Sequence, residues 1–248
     1  MGLLERAMEG GRLRTSHAQV VGHLGRDIVS GVLPEGSILP GDSDLSARFG
    51  VSRTVLREAM KTLAAKQLVE PKAKVGTRVL DRSAWNLFDA DVLSWRFETG
   101  VDAAFVADLA EIRMALEPAA AGLAARRATT EEILRLYEIA GRMNDLAHTP
   151  QSIAKVDLEF HHAVLKAAKN PFMSSIGSLI EAALAISFTL SSPVTNPGQI
   201  DELARNHLRI AQAIAARDED KAQAAMRAVI ATGADRASGA LARQGEEA

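Results

Sequence analysis

Hydrophobic residues in the first third of the chain recur at helical spacing in three segments. The first segment carries Val20, Val21, Leu24 and Ile28, and Gly31 follows it as a plausible C-cap. Asp42 or Ser43 can cap a second, short helix that stops at Gly50. Ser52 can cap a third helix, whose buried side is predicted to hold Val55, Leu56, Ala59 and Leu63.

From residue 68 the pattern changes to two short strand-like runs around a basic turn. The order of helix, helix, helix and hairpin is that of a winged helix-turn-helix. The segment 83–100 holds both tryptophans, Trp85 and Trp95, among alternating apolar residues, so it is predicted to be a packed helical connector rather than a free linker.

Residues beyond 100 show long helical periods and almost no strand signal. Stop and cap signals such as Thr129-Thr130, Asn170-Pro171 and Pro197-Gly198 divide them into about six helices, at 102–127, 130–147, 151–169, 172–191, 198–217 and 218–243. The predicted fold class is therefore mainly α, with an N-terminal winged helix-turn-helix (1–82), the helical connector (83–100) and a C-terminal all-α bundle of six to seven helices (101–245).

Charge is distributed unevenly between these parts. The whole chain has a net charge of −2, but residues 1–82 carry +4 and residues 83–248 carry −6. Residues 48–78 alone carry +6, the local density that binding to phosphates requires. The chain has no cysteine, so any metal must be bound by His, Asp or Glu. No apolar run has transmembrane length and the first residues soon become charged, so we expect a cytoplasmic protein without a membrane partner.

The third predicted helix and the hairpin carry the residues suited to DNA. The second helix of a helix-turn-helix enters the major groove with its N-terminal residues leading, which allows Arg53 and Arg57 to reach guanine edges or phosphates. The predicted DNA-binding residues are Ser52, Arg53, Thr54, Arg57 and Lys61 of the helix and Lys72, Lys74, Gly76, Thr77 and Arg78 of the wing. A solvated basic helix face is the alternative for an isolated arginine pair, but the order and spacing of four elements favour DNA.

This part of the chain resembles a family of bacterial regulators. The residues that carry the resemblance are Leu39-Pro40, Asp44-Leu45, Phe49 to Thr54, Leu56 to Ala59 and Lys66 to Val69. They closely resemble the GntR-type winged helix-turn-helix over about residues 17–80, which implies a homodimer on a double-stranded DNA operator. One departure is Ser43, between Asp42 and Asp44, where members often carry a phosphate-binding Arg. Affinity is therefore expected to depend more on Arg53, Arg57 and the wing.

Two stretches of the C-terminal part hold candidate metal ligands. Asp157 and His161 are four residues apart and share one helical face, and His207 adds an imidazole from a later helix. Both stretches resemble the FCD ligand-binding domain of the FadR subfamily, which often holds a metal on one Asp and three His. These residues match three ligands, but the fourth position, 22 residues beyond His207, holds Val229. Two interpretations therefore remain. The residues bind a zinc, nickel or manganese ion, or they form a metal-free polar cavity that binds the effector directly.

Arg113 lies in a further match to this domain. Its guanidinium suits a carboxylate, although an ion pair with Glu117 or Glu111 is the usual alternative, and the resemblance favours a ligand role. The predicted effector-binding residues are Arg113, Asp157, His161 and His207. The connector resembles that of the galactonate-repressor branch of the subfamily, which also tends to lack the last His. This resemblance implies an aldonate or a related sugar acid as the effector.

The sequence thus predicts a regulator, most simply a repressor, that a small carboxylate releases from its operator. One alternative is a metal-dependent all-α enzyme using Asp157, His161 and His207, but it leaves the basic helix and wing unexplained. A second alternative is a DNA-binding protein whose bundle serves only dimerisation, but buried Asp and His residues would be an unfavourable core for that purpose.

Overall fold

Three helices and a hairpin make up the beginning of the chain. The structure, a computed structural model, describes residues 15–246, except the side chains of residue 195 and residues 244–246. The predicted polar lead, residues 1–14, lies outside the described residues. The elements in chain order are α1 (Ser16–Val29), α2 (Asp42–Phe49), α3 (Arg53–Ala65), β1 (Val69–Lys72) and β2 (Gly76–Val79). The strands pair antiparallel, with Val69 opposite Val79. This order confirms the predicted winged helix-turn-helix.

A short extended segment adds to the hairpin. The Leu39 N–H donates to the Thr77 carbonyl over 2.8 Å, and the Val79 N–H donates to the Ser37 carbonyl over 2.9 Å. The bridge between Ile38 and Arg78 lies between these two bonds. The segment before α2 is therefore tied to β2, which fixes the base of the hairpin.

The ends of α2 and α3 are set by local capping. Gly50 ends α2 in the left-handed conformation (φ 63°), and the Ser52 hydroxyl accepts the Val55 N–H over 3.3 Å at the start of α3. The prediction that Asp42 or Ser43 caps α2 is wrong, because Gly41 is the N-cap and no side chain caps that end. Asp42 instead lies in the first turn, where a carboxylate interacts favourably with the helix dipole.

The connector folds onto the first unit. The chain divides between Gly100 and Val101 into two compact units, and helix α4 (Ala90–Glu98) contacts α1 in the first of them. Trp85 and Trp95 belong to the same buried core as α1, α2 and α3. The Trp95 ring lies where a Cβ on Gly25 would be, so α1 and α4 approach at a position that only glycine allows.

A buried lysine also fixes the connector. The Lys66 ammonium, at the C-terminus of α3, lies 2.8 Å from carboxylate oxygens of both Asp89 and Asp91. Burial lowers the pKa of Lys66, but its hydrogen bonds to Asp89 and Asp91 outweigh burial, and the pKa is raised above its usual value. The side chain therefore stays charged and holds the start of α4 against the end of α3.

The second unit is all α-helix in its described part. Its helices are α5 (Ala103–Arg127), α6 (Thr130–Arg142), α7 (Pro150–Ala167), α8 (Pro171–Ser174), α9 (Gly177–Leu190), α10 (Pro197–Ala215) and α11 (Glu219–Glu246). This confirms the predicted bundle. The helix predicted at 130–147 ends at Arg142, and the Asp145 side chain just beyond accepts the Ala147 N–H in a turn. The helix predicted at 172–191 is divided into α8 and α9.

The expectation that no apolar run has transmembrane length is wrong, because Pro171–Leu190 is long and apolar enough to cross a membrane by length and composition alone. Most of its α9 part is buried, and α9 contacts α5, α7 and α11. Its apolar character is that of a core helix of the bundle.

The close approach of α1 and α4 can be tested by Gly25→Ala. We expect this change to lower the free energy of unfolding of the first unit by about 1–3 kcal/mol, because the added methyl group overlaps the Trp95 ring. Both tryptophans lie in that unit, so urea unfolding followed by tryptophan fluorescence measures the effect.

The matched control is Gly141→Ala in α6, where nothing lies within 4 Å of an added Cβ. This control should stabilise the protein by roughly 0.5–1 kcal/mol, measured by circular dichroism, because alanine is the better helix former. A wild-type unfolding free energy for Gly25→Ala would contradict the packing described.

Candidate functional site

The exposed face of α3 carries the predicted major-groove residues. Ser52, Arg53, Thr54 and Arg57 are all exposed at or near the helix N-terminus. Within the described chain, no hydrogen bond or ion pair engages the guanidinium of Arg53 or Arg57. Lys61 lies one turn further along and forms an ion pair with Glu58 over 2.9 Å. Arg53 and Arg57 are therefore the cations of this helix that are available to a partner.

The wing presents its predicted residues unequally. Arg78 is half-buried and donates to Glu70, with Nη2 at 2.7 Å and Nε at 3.0 Å from Oε1. The hydrogen bond from Arg78 lowers the pKa of the Glu70 carboxyl below its usual value. The Lys72 ammonium also lies 3.5 Å from this carboxylate. Glu70 therefore offsets positive charge in the strands of the wing, and the cation at the tip is Lys74.

The wing tip also has unusual backbone conformations. Lys74 has φ 62°, in the left-handed region that favours glycine, and Gly76 has φ 123°. A Cβ on Gly76 would lie 3.1 Å from Ile38 Cγ2, which explains the glycine there. The half-buried Thr77 follows in β2. Lys74 accepts a strained conformation while it presents an exposed cation.

In the second unit, the structure brings Asp157, His161 and His207 together. All three are buried, with at most 2% of their surface exposed. Each offers a possible metal-ligating atom, and these atoms lie within 4.8 Å of one another. Asp157 and His161 project from one face of α7, and His207 projects from α10. The i, i+4 spacing and the later helix thus produce the cluster that the sequence predicted.

The hydrogen bonds of the two imidazoles determine which nitrogen faces the cluster. The His207 Nδ1–H donates to the Leu203 carbonyl over 2.8 Å, so Nδ1 carries a proton and Nε2 is the nitrogen that faces the cluster. This Nε2 lies 3.1 Å from Asp157 Oδ1, and the His161 Nε2 lies 3.6 Å from Asp157 Oδ2. Neither Nε2 atom has a hydrogen-bond partner in the described residues.

A buried ion pair stands behind His161. Glu117 Oε2 contacts His161 Nδ1, and Arg113 Nε donates to Glu117 Oε1 over 2.5 Å. Burial raises the pKa of Glu117, but the charges of Arg113 and His161 outweigh it and lower this pKa to about 2. Arg113 thus has the Glu117 partner that the sequence left as an alternative to effector binding, whereas Glu111 is exposed.

The Asp157 carboxyl is held ionised in the same way. Burial raises its pKa, but the neighbouring His207, His161 and Arg113 lower it to about 2. Phe160 closes one side of the cluster, with its ring perpendicular to that of His207 at a centroid distance of 5.0 Å. The cluster is therefore an ionised carboxylate and two imidazoles against an aromatic wall.

A cavity of about 140 Å³ adjoins His207. Its lining residues are Gln199, Glu202, Leu203, Asn206, His207, Val229, Thr232 and Arg236. Burial lowers the pKa of Arg236, although the charges of Asp157 and Glu202 act to raise it, and its Nε has no hydrogen-bond partner among the described residues. An incompletely compensated cation in a cavity lined by amide and hydroxyl side chains is an arrangement suited to an anion.

Two residues of this site, Glu117 and Arg236, were not predicted as site residues from the sequence. The sequence did not indicate that Glu117 would contact His161, because that contact joins α5 to α7 across the bundle. Arg236 had a usable signal, since Val229, Thr232 and Arg236 are spaced i, i+3 and i+7 on one face of α11. The face on which relatives carry their last His therefore carries an arginine here.

The two sites and their folds define a class of protein. A winged helix-turn-helix with an exposed basic helix, followed by an all-α unit with a polar internal cluster, is the architecture of a DNA-binding transcription regulator. The chain belongs to the gntR family of bacterial regulatory proteins, whose model matches residues 16–79, and it carries an FCD domain at residues 108–232.

Curated relatives agree with this assignment. The chain is 30% identical to the galactonate operon transcriptional repressor of Escherichia coli over 86% of this chain and 93% of that protein. It is 36% identical to the transcriptional regulator YieP of the same organism, over 67% of this chain and 73% of that protein. The relatives are regulators, so the chain is a transcription regulator and not the metal-dependent enzyme considered as an alternative.

A solved structure shares the fold. Lar, described as controlling the expression of the Listeria monocytogenes agr system, aligns with a TM-score of 0.62 at 19% identity. The alignment covers 92% of this chain and 98% of that one.

The strained wing residue gives a prediction about stability. Lys74→Gly should raise the free energy of unfolding by up to about 1 kcal/mol, because a left-handed conformation costs a non-glycine residue ~1–2 kcal/mol and the greater chain entropy of glycine cancels part of this gain. Lys72→Gly, in regular β1, should instead lower it by roughly 0.5–1 kcal/mol. Urea unfolding followed by tryptophan fluorescence compares the two variants, and a loss of stability in both would refute the interpretation.

Proposed function

We propose that this chain is a homodimeric repressor of an operon for the catabolism of a sugar acid or a related carboxylate. Its α3 and wing bind a DNA operator, and a small carboxylate bound in the second unit releases it. The observation that carries this proposal is the buried Asp157, His161 and His207 cluster, from which His207 also lines the cavity of Arg236. The similarity to a galactonate operon repressor supports the effector class.

On the DNA side, Arg53 and Arg57 are assigned to base edges and flanking phosphates, and Ser52 and Thr54 to a phosphate at the helix N-terminus. The wing contributes Lys72, Lys74, Gly76, Thr77 and Arg78, and Lys61 extends the basic stripe of α3. Because Arg78 and Lys61 already have carboxylate partners, we expect smaller contributions from them. Residues 1–82 form the DNA-binding domain, 83–100 the connector and 101–245 the effector domain of a cytoplasmic protein.

The chemistry of the cluster fits a divalent metal such as zinc, nickel or manganese. Asp157 would bind it through a carboxylate oxygen, and His161 and His207 through their Nε2 atoms, which otherwise stay buried without partners. Bound there, the ion supplies positive charge and an open coordination position for a carboxylate. Val229 leaves the position of a fourth imidazole to water or to the effector.

The charge balance of the site favours an anionic effector. The formal charges of Arg113 and Arg236 cancel those of Glu117 and Asp157, and the exposed Glu202 leaves one negative charge at the cavity without metal. A divalent cation adds two positive charges to a buried site, and a buried excess of charge is unfavourable unless a counter-charge enters. A carboxylate provides this counter-charge.

The cavity residues suit a hydroxylated carboxylate. Arg236 presents the planar fork of donors that matches a carboxylate. Gln199, Asn206 and Thr232 line the same cavity and offer both donors and acceptors to hydroxyl groups. The cavity of about 140 Å³ is small, so we expect a small effector such as a sugar acid. Whether Arg113 also contacts the effector stays a prediction.

Release from DNA requires that the effector bind more tightly to the form of the dimer that does not fit the operator. A coupling of about 1–3 kcal/mol lowers operator affinity about 5- to 150-fold, which is sufficient for induction.

Arg53→Ala should weaken operator binding by about 1–3 kcal/mol and relax the preference at one base position, because a bidentate base contact is lost. Fluorescence anisotropy with DNA fragments that the wild-type protein selects from a random pool measures both effects. The control is Arg205→Ala, an exposed arginine of α10 paired with Asp201, which should bind like wild type. Equal affinity and sequence preference for Arg53→Ala and wild type would refute the base-reading role.

Arg236→Met should leave operator binding intact and abolish or strongly reduce release by sugar acids. D-Galactonate and a panel of other aldonates, each with and without Zn²⁺, are titrated into the protein–operator complex. Arg205→Met is the control and should respond like wild type. An unchanged response of Arg236→Met would remove Arg236 from the effector site, and no response of the wild type to any sugar acid would contradict the effector class.

A further inference from the structure

We propose that Glu117, held in place by Arg113, is a positioning residue that directs the Nε2 atom of His161 towards the metal. This inference rests on the metal site proposed above. It assigns Arg113 a role through Glu117 that is separate from any contact with the effector.

The contact between Glu117 and His161 Nδ1 influences which ring nitrogen of His161 carries the proton. A carboxylate only accepts hydrogen bonds when ionised, so the Glu117 oxygen beside His161 Nδ1 favours the tautomer that carries its proton there. The Nε2 of the same ring then keeps its lone pair, which a metal needs. The His207 ring is held in the same tautomer by the Leu203 carbonyl. Both imidazoles thus have an oxygen against Nδ1 and turn Nε2 towards the cluster, the pattern of metal-ligating histidines.

The position of Glu117 makes it an outer partner and not a ligand. It does not belong to the group of ligand atoms within 4.8 Å of one another, because it lies on the far side of the His161 ring. The Glu117 side chain is 1% exposed, so no solvent competes for its carboxylate. Its charge therefore acts on His161 in a poorly screened environment.

Arg113 fixes the carboxylate in this position. Arg113 and Glu117 lie one turn apart on α5, and Arg113 Nε donates to Oε1 while Oε2 contacts His161. The hydrogen bond from Arg113 to Oε1 thus orients the carboxylate so that Oε2 lies against His161 Nδ1. A negatively charged partner on Nδ1 also makes the imidazole a stronger electron-pair donor to a metal than a carbonyl partner does. With Val229 in place of a fourth imidazole, a larger part of the binding depends on this support.

The test measures the affinity of the full-length chain for Zn²⁺ by competition with a chromophoric chelator. Glu117→Gln keeps the shape of the side chain but removes its charge, and should weaken Zn²⁺ binding by about 10- to 100-fold. Glu111→Gln is the matched control, since it is the same substitution at an exposed position of the same helix, and should bind like wild type. Wild-type affinity in Glu117→Gln would overturn the inference.

A second variant separates positioning from folding. The double variant Arg113→Met/Glu117→Gln removes both charges of the ion pair together, so that no unpaired charge stays buried. With EDTA present, we expect its melting temperature to lie near that of the wild type, while its Zn²⁺ affinity is as weak as that of Glu117→Gln. If the double variant regains wild-type affinity, Glu117 does not act on His161.

Long-range ¹H–¹⁵N spectra of histidine-labelled protein read the tautomer directly. In the Zn²⁺-loaded wild type we expect the His161 proton on Nδ1 and the metal on Nε2, whereas in Glu117→Gln the Nδ1 signal moves towards that of a more weakly bonded N–H. Metal on Nδ1 in the wild type would refute the proposal. If the wild type binds no Zn²⁺ at all, the proposed metal site falls and this inference with it, but operator binding and the effector response are tested independently.

Discussion

Burial of charge is the constraint on which the second unit depends. Arg113, Glu117 and Asp157 lie inside a helical bundle whose other buried residues are almost all apolar. An unpaired charge there would cost several kcal/mol, so each must have a partner at a fixed distance. The contacts from Arg113 through Glu117, His161 and Asp157 to His207 satisfy this requirement across α5, α7 and α10. The helices that supply these side chains are thereby held in one register.

Local patterns predict much of this architecture. Helical periodicity and cap residues place α1, α3 and the bundle helices, and the i, i+4 pair of Asp157 and His161 is a property of one helix. Contacts between distant helices carry no such local signal, so the Glu117 contact with His161 was not foreseen, whereas Arg236 was missed despite its spacing from Val229 on one face of α11. The division of the 172–191 segment into α8 and α9 was not predicted either, because its hydrophobic pattern continues across the break.

The first unit relies on close packing of α1 against α4, with a half-exposed ion pair between Arg26 and Glu98 beside it. Trp95 lies against Gly25, and the wide ring covers the backbone of α1 as no smaller side chain could. Lys66 then joins the end of α3 to the first turn of α4 through two carboxylates. The connector is therefore part of the core that orients the DNA-binding helix. A sequence pattern indicates that such a segment is packed, but it does not indicate which glycine it covers.

Helix α2 begins with exposed Asp42 and Asp44 and has no side-chain cap. Two carboxylates at this end would repel a phosphate backbone that approached them, so we expect fewer counterions to be released on arbitrary DNA than with an arginine at position 43. Weak attraction to arbitrary sequences shortens the time lost on the many competing sites of a genome. Occupancy of the operator is then governed by the specificity ratio and not by total affinity. The acidic start of α2 would thus weaken each encounter with DNA, and discrimination between sequences is left to the side chains that read base edges.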